Sequence, residues 1–288
     1  MSMRNVTSFV TIRIMVAIMK HENLQKWLEG QMMRGRYIFT KEDVKALDLN
    51  ITPVGLRQSL FRMRKKGILI SPWKGFYVAV PTEYRLKGEV PPSFYIDHLM
   101  KYLGRKYYVS LLSAAAINGA GHQRAMVFQV TVEGVQLRSG VKNGTQLNFN
   151  YKKTIPDFYL NKIKVQTGYM NVSSAELTAL DIVDQEGKIG GLSRAAEILA
   201  ELSEKLRWDS EKLSLLALFS APVCQRLGFL FDLIGENELA DNLLALLRQS
   251  GKILRKVRLK QEKEVNEGME FDSKWKIIIN HEIEIDEI

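Results

Sequence analysis

Thr52-Pro53-Val54-Gly55-Leu56-Arg57-Gln58-Ser59-Leu60-Phe61-Arg62-Met63-Arg64-Lys65-Lys66-Gly67, followed at once by Ile68-Leu69-Ile70-Ser71-Pro72-Trp73-Lys74-Gly75-Phe76-Tyr77-Val78-Ala79-Val80, is the stretch from which the fold is read. Thr52 is an N-cap, and Pro53 takes the first helical position, where a missing N–H removes no intrahelical bond. The helix runs to Lys66 and Gly67 stops it. Ile68–Ile70 and Phe76–Val80 then read as two strands, with Ser71–Gly75 as the turn between them. On the helix Leu56, Leu60 and Met63 fall at i, i+4, i+7 and define the core-facing stripe. The opposite face carries Val54, Gln58, Phe61 and Lys65, flanked by Arg57 and Arg64 on one side and Arg62 and Lys66 on the other. No acid lies between Thr52 and Gly75.

Working outward, Asn23 caps a helix through Leu24, Trp27 and Leu28 that ends near Gly30. Thr40 and Asp43 form a capping box for a helix from Lys41 to Leu47, and a turn follows over Asp48–Ile51. Helix, helix, turn, helix, hairpin is the order of a winged helix-turn-helix. A helix in the major groove needs bidentate donors for guanine, an amide for adenine and cations along both rims for phosphate. Arg57, Gln58 and Arg62 are therefore the candidate base readers. Lys65, Lys66 and the wing-tip Lys74 suit phosphate, where a flexible point charge suffices. Thr52 and Arg64 complete the candidate DNA-binding set. Two alternatives stay open: such a module can bind protein through a merely soluble third helix, and Phe61 can belong to the core.

Charge supports the nucleic-acid reading. The net charge of the 288 residues is +9, yet Met1–Lys87 carries 16 Lys/Arg against 6 Asp/Glu and Gly88–Ile288 carries 25 against 26. The whole excess lies in the first third, as expected of a module that meets a polyanion beside a domain that does something else. Pro81, Gly88, Pro91 and Pro92 mark a linker. The expected organisation is an N-terminal arm of unassigned role over 1–20, a winged helix-turn-helix over 21–87 and a larger mixed α+β domain over 88–288. The apolar run Val6–Met19 is too short to span a bilayer and has Arg13 in its middle, so neither a membrane segment nor a signal peptide is expected. One cysteine, Cys224, and four scattered histidines, His21, His98, His122 and His281, make no disulfide or metal pattern. A cytoplasmic protein without metal or cofactor is expected.

In the second domain Pro92–Leu103 reads as a helix, Tyr107–Val109 as a strand, and Leu111–Asn118 as a helix capped by Ser110. Alternating segments over Met126–Val132, Gln146–Tyr151, Phe158–Ile163 and Val165–Tyr169 suggest a mixed or antiparallel sheet, with Lys142-Asn143-Gly144 as one of its turns. Helices follow over Ser174–Val183, Leu192–Glu204, Asp209–Ala217, Val223–Ile234 and Glu238–Leu247, and Trp275–Ile279 is a late strand. No phosphate-binding loop, nucleophile elbow, zinc-protease or dinucleotide motif is present, so no catalytic residue is assigned. Gly187–Gly191 reads as an inter-helix loop, and Asp181, Asp184 and Glu186 read as a solvated helix terminus. Ser110 and Ser113 with His122 and Asp97 or His98 make a poor nucleophilic set, because Ser110 is better explained as a cap. Lys252–Lys263 is a second basic stripe, read as a solvated face with nucleic acid or a partner as the alternative.

Several strings, in order, resemble the AbiEi family of antitoxins from type IV toxin–antitoxin systems of bacterial abortive infection. They are Phe39-Thr40-Lys41 through Lys74-Gly75-Phe76-Tyr77, Tyr107-Tyr108-Val109-Ser110-Leu111-Leu112-Ser113-Ala114-Ala115-Ala116 ending in Gly119, and Ala179-Leu180-Asp181-Ile182-Val183. Gln225-Arg226-Leu227-Gly228-Phe229-Leu230 and Trp275-Lys276-Ile277-Ile278-Ile279-Asn280 complete them. The resemblance implies a winged helix that binds inverted repeats in its own promoter and represses the operon. It also implies a second domain opposing a nucleotidyltransferase-like toxin without a stable complex. The toxin's own Gly-Ser and paired-acid motif is absent here. Two other classes remain: a ligand-sensing winged-helix repressor, and a winged helix tethering a nuclease-like domain, for which no Asp and Glu-x-Lys set is found.

Overall fold

The computed structural model describes residues 24–47, 51–86, 89–120, 127–142, 144–264, 266 and 268–285. The expected arm over 1–20, the Asn23 cap, most of the turn over 48–51, His21 and His122 lie outside them. The chain divides into two compact units. One takes Met1–Lys106 with Ser139–Leu147 and Lys164–Met170, and the other takes Tyr107–Arg138, Asn148–Ile163 and Asn171–Ile288.

In the first unit helix α1 spans 24–33, running past Gly30 and turning at Gly35, whose φ of +71° suits glycine. Strand β1 (Ile38–Thr40) leads directly into α2 (Lys41–Lys45). The expected capping box is present: Asp43 N donates to Thr40 Oγ1 at 3.2 Å and Thr40 N donates to Asp43 Oδ2 at 2.6 Å. Helix α3 (Pro53–Lys65) starts at Thr52, whose Oγ1 accepts from Gly55 N at 3.2 Å. It ends at Gly67, where φ is +67°. Strands β2 (Leu69–Trp73) and β3 (Phe76–Ala79) form the hairpin; β2 runs through Ser71-Pro72 and its register shifts between Ile70 and Trp73. The turn is therefore only Lys74-Gly75. Strand β1 was not expected: it pairs antiparallel with β3, Ile38 opposite Val78, giving the order β1-β3-β2.

Leu24, Leu28, Phe39, Val44, Leu56, Leu60, Met63, Leu69 and Ala79 form this unit's core. The stripe expected of α3 is thus buried. The proline-rich connection holds a short helix α4 (Thr82–Arg85) and a 3-10 turn Pro92–Phe94 before α5 (Ile96–Tyr102), so the single expected helix over 92–103 is split.

The chain beyond α5 is mixed α+β. Strand β4 (Tyr107–Val109) lies at the middle of a six-stranded sheet ordered β6-β7-β5-β4-β9-β8. The other strands are β5 (Val127–Glu133), β6 (Gly140–Lys142), β7 (Thr145–Lys152), β8 (Leu160–Val165) and β9 (Gly168–Ser173). The last two are shifted from the expected segments, because the turn falls at Gln166-Thr167. β4 pairs antiparallel with β5 and parallel with β9. Helices α6 (Leu111–Ile117), α7 (Ala175–Asp184), α8 (Leu192–Leu202), α9 (Leu213–Ala217), α10 (Ala221–Leu233) and α11 (Asn237–Gln249) supply most of a large apolar core. Nine of the ten residues of α7 are buried, and so are nine of the thirteen of α10, as fits helices at the centre of the packing. A small sheet ordered β10-β12-β11, from Val257–Arg258, Phe271–Asp272 and Ile277–Ile278, closes the chain. The strand expected over Trp275–Ile279 is only its last part, since Lys276 has φ of +54°.

Candidate nucleic-acid interface

Helix α3 turns its cationic side to solvent because its other side is taken. Leu56, Ser59, Leu60 and Met63 are buried, which leaves Arg57, Gln58, Arg62, Arg64 and Lys65 exposed along the remaining surface, with Lys66 just past the end. Arg62 reaches back to Ser59 Oγ at 3.5 Å. Among the described residues no ion pair neutralises any of Arg57, Arg62, Arg64, Lys65, Lys66 or Lys74. An array of unpaired cations on one helix is a field that attracts phosphate. Thr52 is exposed as well, but its hydroxyl is committed to the cap.

The hairpin tip is anchored. Lys41 N donates to Gly75 O at 2.8 Å, and Tyr102 Oη, from α5, donates to Lys74 O at 3.3 Å. Gly75 has φ of +80° and faces Tyr102 so closely that a Cβ there would meet the phenol oxygen at 2.7 Å. Lys74 is thereby presented on a fixed turn while its side chain stays exposed.

Two groups were missed or left open by the sequence. Phe61 is 56% exposed and Val54 53% exposed, so Phe61 does not belong to the core. A hollow of about 370 Å³ beside the end of α3 is lined by Phe61, Arg64, Lys65, Leu69 and Arg85, among others. Arg85 brings a further cation there, its Nε donating to Val80 O at 3.3 Å. Only its basic neighbour Lys87 and the excess charge of the region hinted at it.

Beyond α4 the remaining candidate chemistry resolves into structure. Asp181 is fully buried rather than solvated: Tyr108 Oη donates to its Oδ2 at 2.8 Å, and Lys152 Nζ lies 2.5 Å from its Oδ1. The Lys152 ammonium also sits 4.3 Å from the Phe219 ring centroid. Burial, and then the Asp181 carboxylate beside it, push the Tyr108 phenol well above its ordinary pKa, so it remains a donor. Ser110 occupies the N-cap position of α6 without capping; its hydroxyl accepts from Thr131 Oγ1 at 2.9 Å, and Gln129 Oε1 accepts from Leu112 N instead. Ser113 donates to Val127 O, Asp97 pairs with Lys101, and His98 meets Thr167 O. Each member of the imagined nucleophilic set inside the described residues is therefore engaged elsewhere. Among those residues no group of acids, histidines and cysteine is placed to hold a metal.

In the basic stripe Arg255, Lys256, Arg258 and Lys263 are exposed, as a solvated face would be, while Lys252 and Lys260 are half-buried and engaged within the unit. Lys252 Nζ donates to Phe219 O at 2.8 Å, Lys256 stands over Phe271, and Lys260 pairs with Glu186. Lys263 Nζ lies 2.7 Å from His281 Nδ1. The same region is tied to α10, where Arg226 Nε donates to Leu259 O at 2.9 Å.

Residues 108–233 match the family described as AbiEi antitoxin C-terminal domain. No curated protein is a significant match to the chain. Among solved structures it is similar to the RV2827C protein from Mycobacterium tuberculosis, with 14% identity over 88% of this chain and 90% of that one and a TM-score of 0.63. At that identity the likeness is one of fold.

Proposed function

We propose, from the match of residues 108–233 to the AbiEi antitoxin C-terminal domain, that the chain is a DNA-binding autorepressor and a type IV antitoxin. In this reading residues 21–87 are a winged helix-turn-helix that binds inverted repeats in its own promoter, and residues 88–288 oppose a nucleotidyltransferase-like toxin without a stable complex. The observation that carries the DNA half is the exposed, unpaired cation array of α3, with Lys74 held at the hairpin tip. Arg57, Gln58 and Arg62 read base edges, while Arg64, Lys65, Lys66 and Lys74 hold phosphates, and Thr52 sets the start of the reading helix. The antitoxin half rests on the family match. No catalytic role, metal or cofactor belongs to this reading. It places the protein in the cytoplasm, where its promoter is, and no described helix is long and apolar enough to cross a membrane.

Fluorescence-anisotropy titration of the full chain against DNA upstream of its gene, at several salt concentrations, tests the reading. Arg57→Ala and Arg62→Ala are each expected to weaken operator binding by about 1–3 kcal/mol and to relax sequence preference. Lys74→Ala is expected to weaken operator and random DNA alike and to reduce the salt slope by about one. Equal losses on both DNAs for all three variants would remove the base-reading assignment, and absence of salt-sensitive binding would remove the DNA role. Co-expression with a nucleotidyltransferase-like toxin of a type IV system, scored by growth, tests the antitoxin half separately.

A further inference from the structure

Val54 and Phe61 occupy the centre of the solvent face of α3, the side opposite Leu56, Ser59, Leu60 and Met63. Both are more than half exposed. Seven residues apart, they differ by about 20° around the helix and by about 10 Å along it, close to three base-pair steps of a duplex. Lys65 Nζ stands 5.7 Å from the Phe61 ring centroid, one turn further on, which holds the ring on this face. The result is a short apolar line with Gln58 beside it and arginines on both flanks.

The flanks decide what covers this line. An apolar protein surface laid over it would strip water from Arg57, Arg62, Arg64 and Lys65 without supplying counter-charge, at high cost. A duplex supplies phosphates at the flanks and, on the floor of its major groove, one apolar group that a side chain can contact: the thymine 5-methyl.

We propose that Val54 and Phe61 read thymine methyl groups spaced about three base pairs apart, adding an apolar component to the specificity of α3. This rests on the DNA-binding reading above, and neither residue is among the base readers assigned there.

Deoxyuridine differs from thymidine only by the missing methyl, so it probes the contact directly. The full chain is titrated with its own upstream DNA amplified with either dTTP or dUTP, alongside a random fragment prepared both ways. Wild type is expected to bind the dUTP operator about four- to sixteenfold more weakly, about fourfold for each of the two methyls contacted, with little change on the random fragment. Phe61→Ala is expected to weaken binding to the dTTP operator and to lose most of the difference between the two operators; Val54→Ala is expected to lose a smaller part. Specific, salt-sensitive binding with equal affinity for both operators overturns this proposal alone. So does a wild-type difference that both variants retain in full. The wild-type comparison requires no substitution, so it stands even if a variant folds poorly. No duplex binding at all overturns the DNA reading together with this one and leaves the face to an acidic protein partner.

Discussion

Gly228→Ala is expected to lower the unfolding free energy by about 2–4 kcal/mol, although alanine is by about 1 kcal/mol the better helix former. Gly228 lies inside α10, and a Cβ there would come closer than 3 Å to three ring atoms of Trp275, nearer than real Cβ contacts come. The ring cannot give way cheaply. It is fully buried, its Nε1 donates to Asp232 Oδ2 at 2.6 Å, and its backbone is held at both ends. Trp275 N donates to Asp272 Oδ1, and Trp275 O accepts from Gln225 Nε2, both at 2.6 Å. Displacing the indole would forfeit much of the cost of removing a buried tryptophan, about 3–5 kcal/mol. Urea denaturation followed by tryptophan fluorescence and circular dichroism measures the loss. Trp275→Phe in the Gly228→Ala background should recover part of it, because a smaller ring leaves room for the methyl. A Gly228→Ala protein within 1 kcal/mol of wild type would show that the indole moves aside freely.

The second large effect is expected at Asp181. Asp181→Ala removes the acceptor of a buried phenol and the counter-charge of Lys152, whose side chain is only 20% exposed. Breaking a buried pair from one side costs about 3–5 kcal/mol, and the partial exposure of the ammonium places this one near the lower end. Most of that cost comes from what is left behind rather than from the pair itself. Asp181→Leu combined with Lys152→Met and Tyr108→Phe should therefore be more stable than Asp181→Ala alone. Equilibrium denaturation of wild type and these two variants decides the matter: a single variant that loses less than about 1 kcal/mol, or a triple variant no better than it, contradicts this account.

The elements that sequence reasoning placed well are those whose determinants are local. Thr40 with Asp43, Thr52 with Pro53 and the stop at Gly67 each act within a few residues, and the structure has all of them. Strand β1 was invisible because three residues have no periodicity to read, and its identity comes from pairing with β3, nearly forty residues on. Ser110 shows the limit from the other side: its position before α6 was legible, but its hydroxyl goes to Thr131 on β5. Asp181 was misjudged because an acid near a helix end is normally solvated. The available signal was its place inside Ala179-Leu180-Asp181-Ile182-Val183, where apolar residues on both sides of it leave the helix no wet side. The exposure of the α3 cations followed from the helical period alone, whereas Arg85 enters the hollow beside that helix through a local fold no period describes.

The matched family segment stops at residue 233, the last of α10, the helix that Trp275 packs against. For anyone cloning the second unit, that limit is an edge of sequence recognition and not of folding. A fragment ended there would keep Gln225, Gly228 and Asp232 but lose the indole, the carbonyl and the backbone that occupy them. It would present a slot lined with apolar helix and an uncompensated carboxylate to solvent. Such a fragment would be prone to self-association for reasons unrelated to toxin or DNA, so the shortest sound unit for biochemical work runs on through Asn280, whose side chain still bonds the backbone at Lys260 and Lys263.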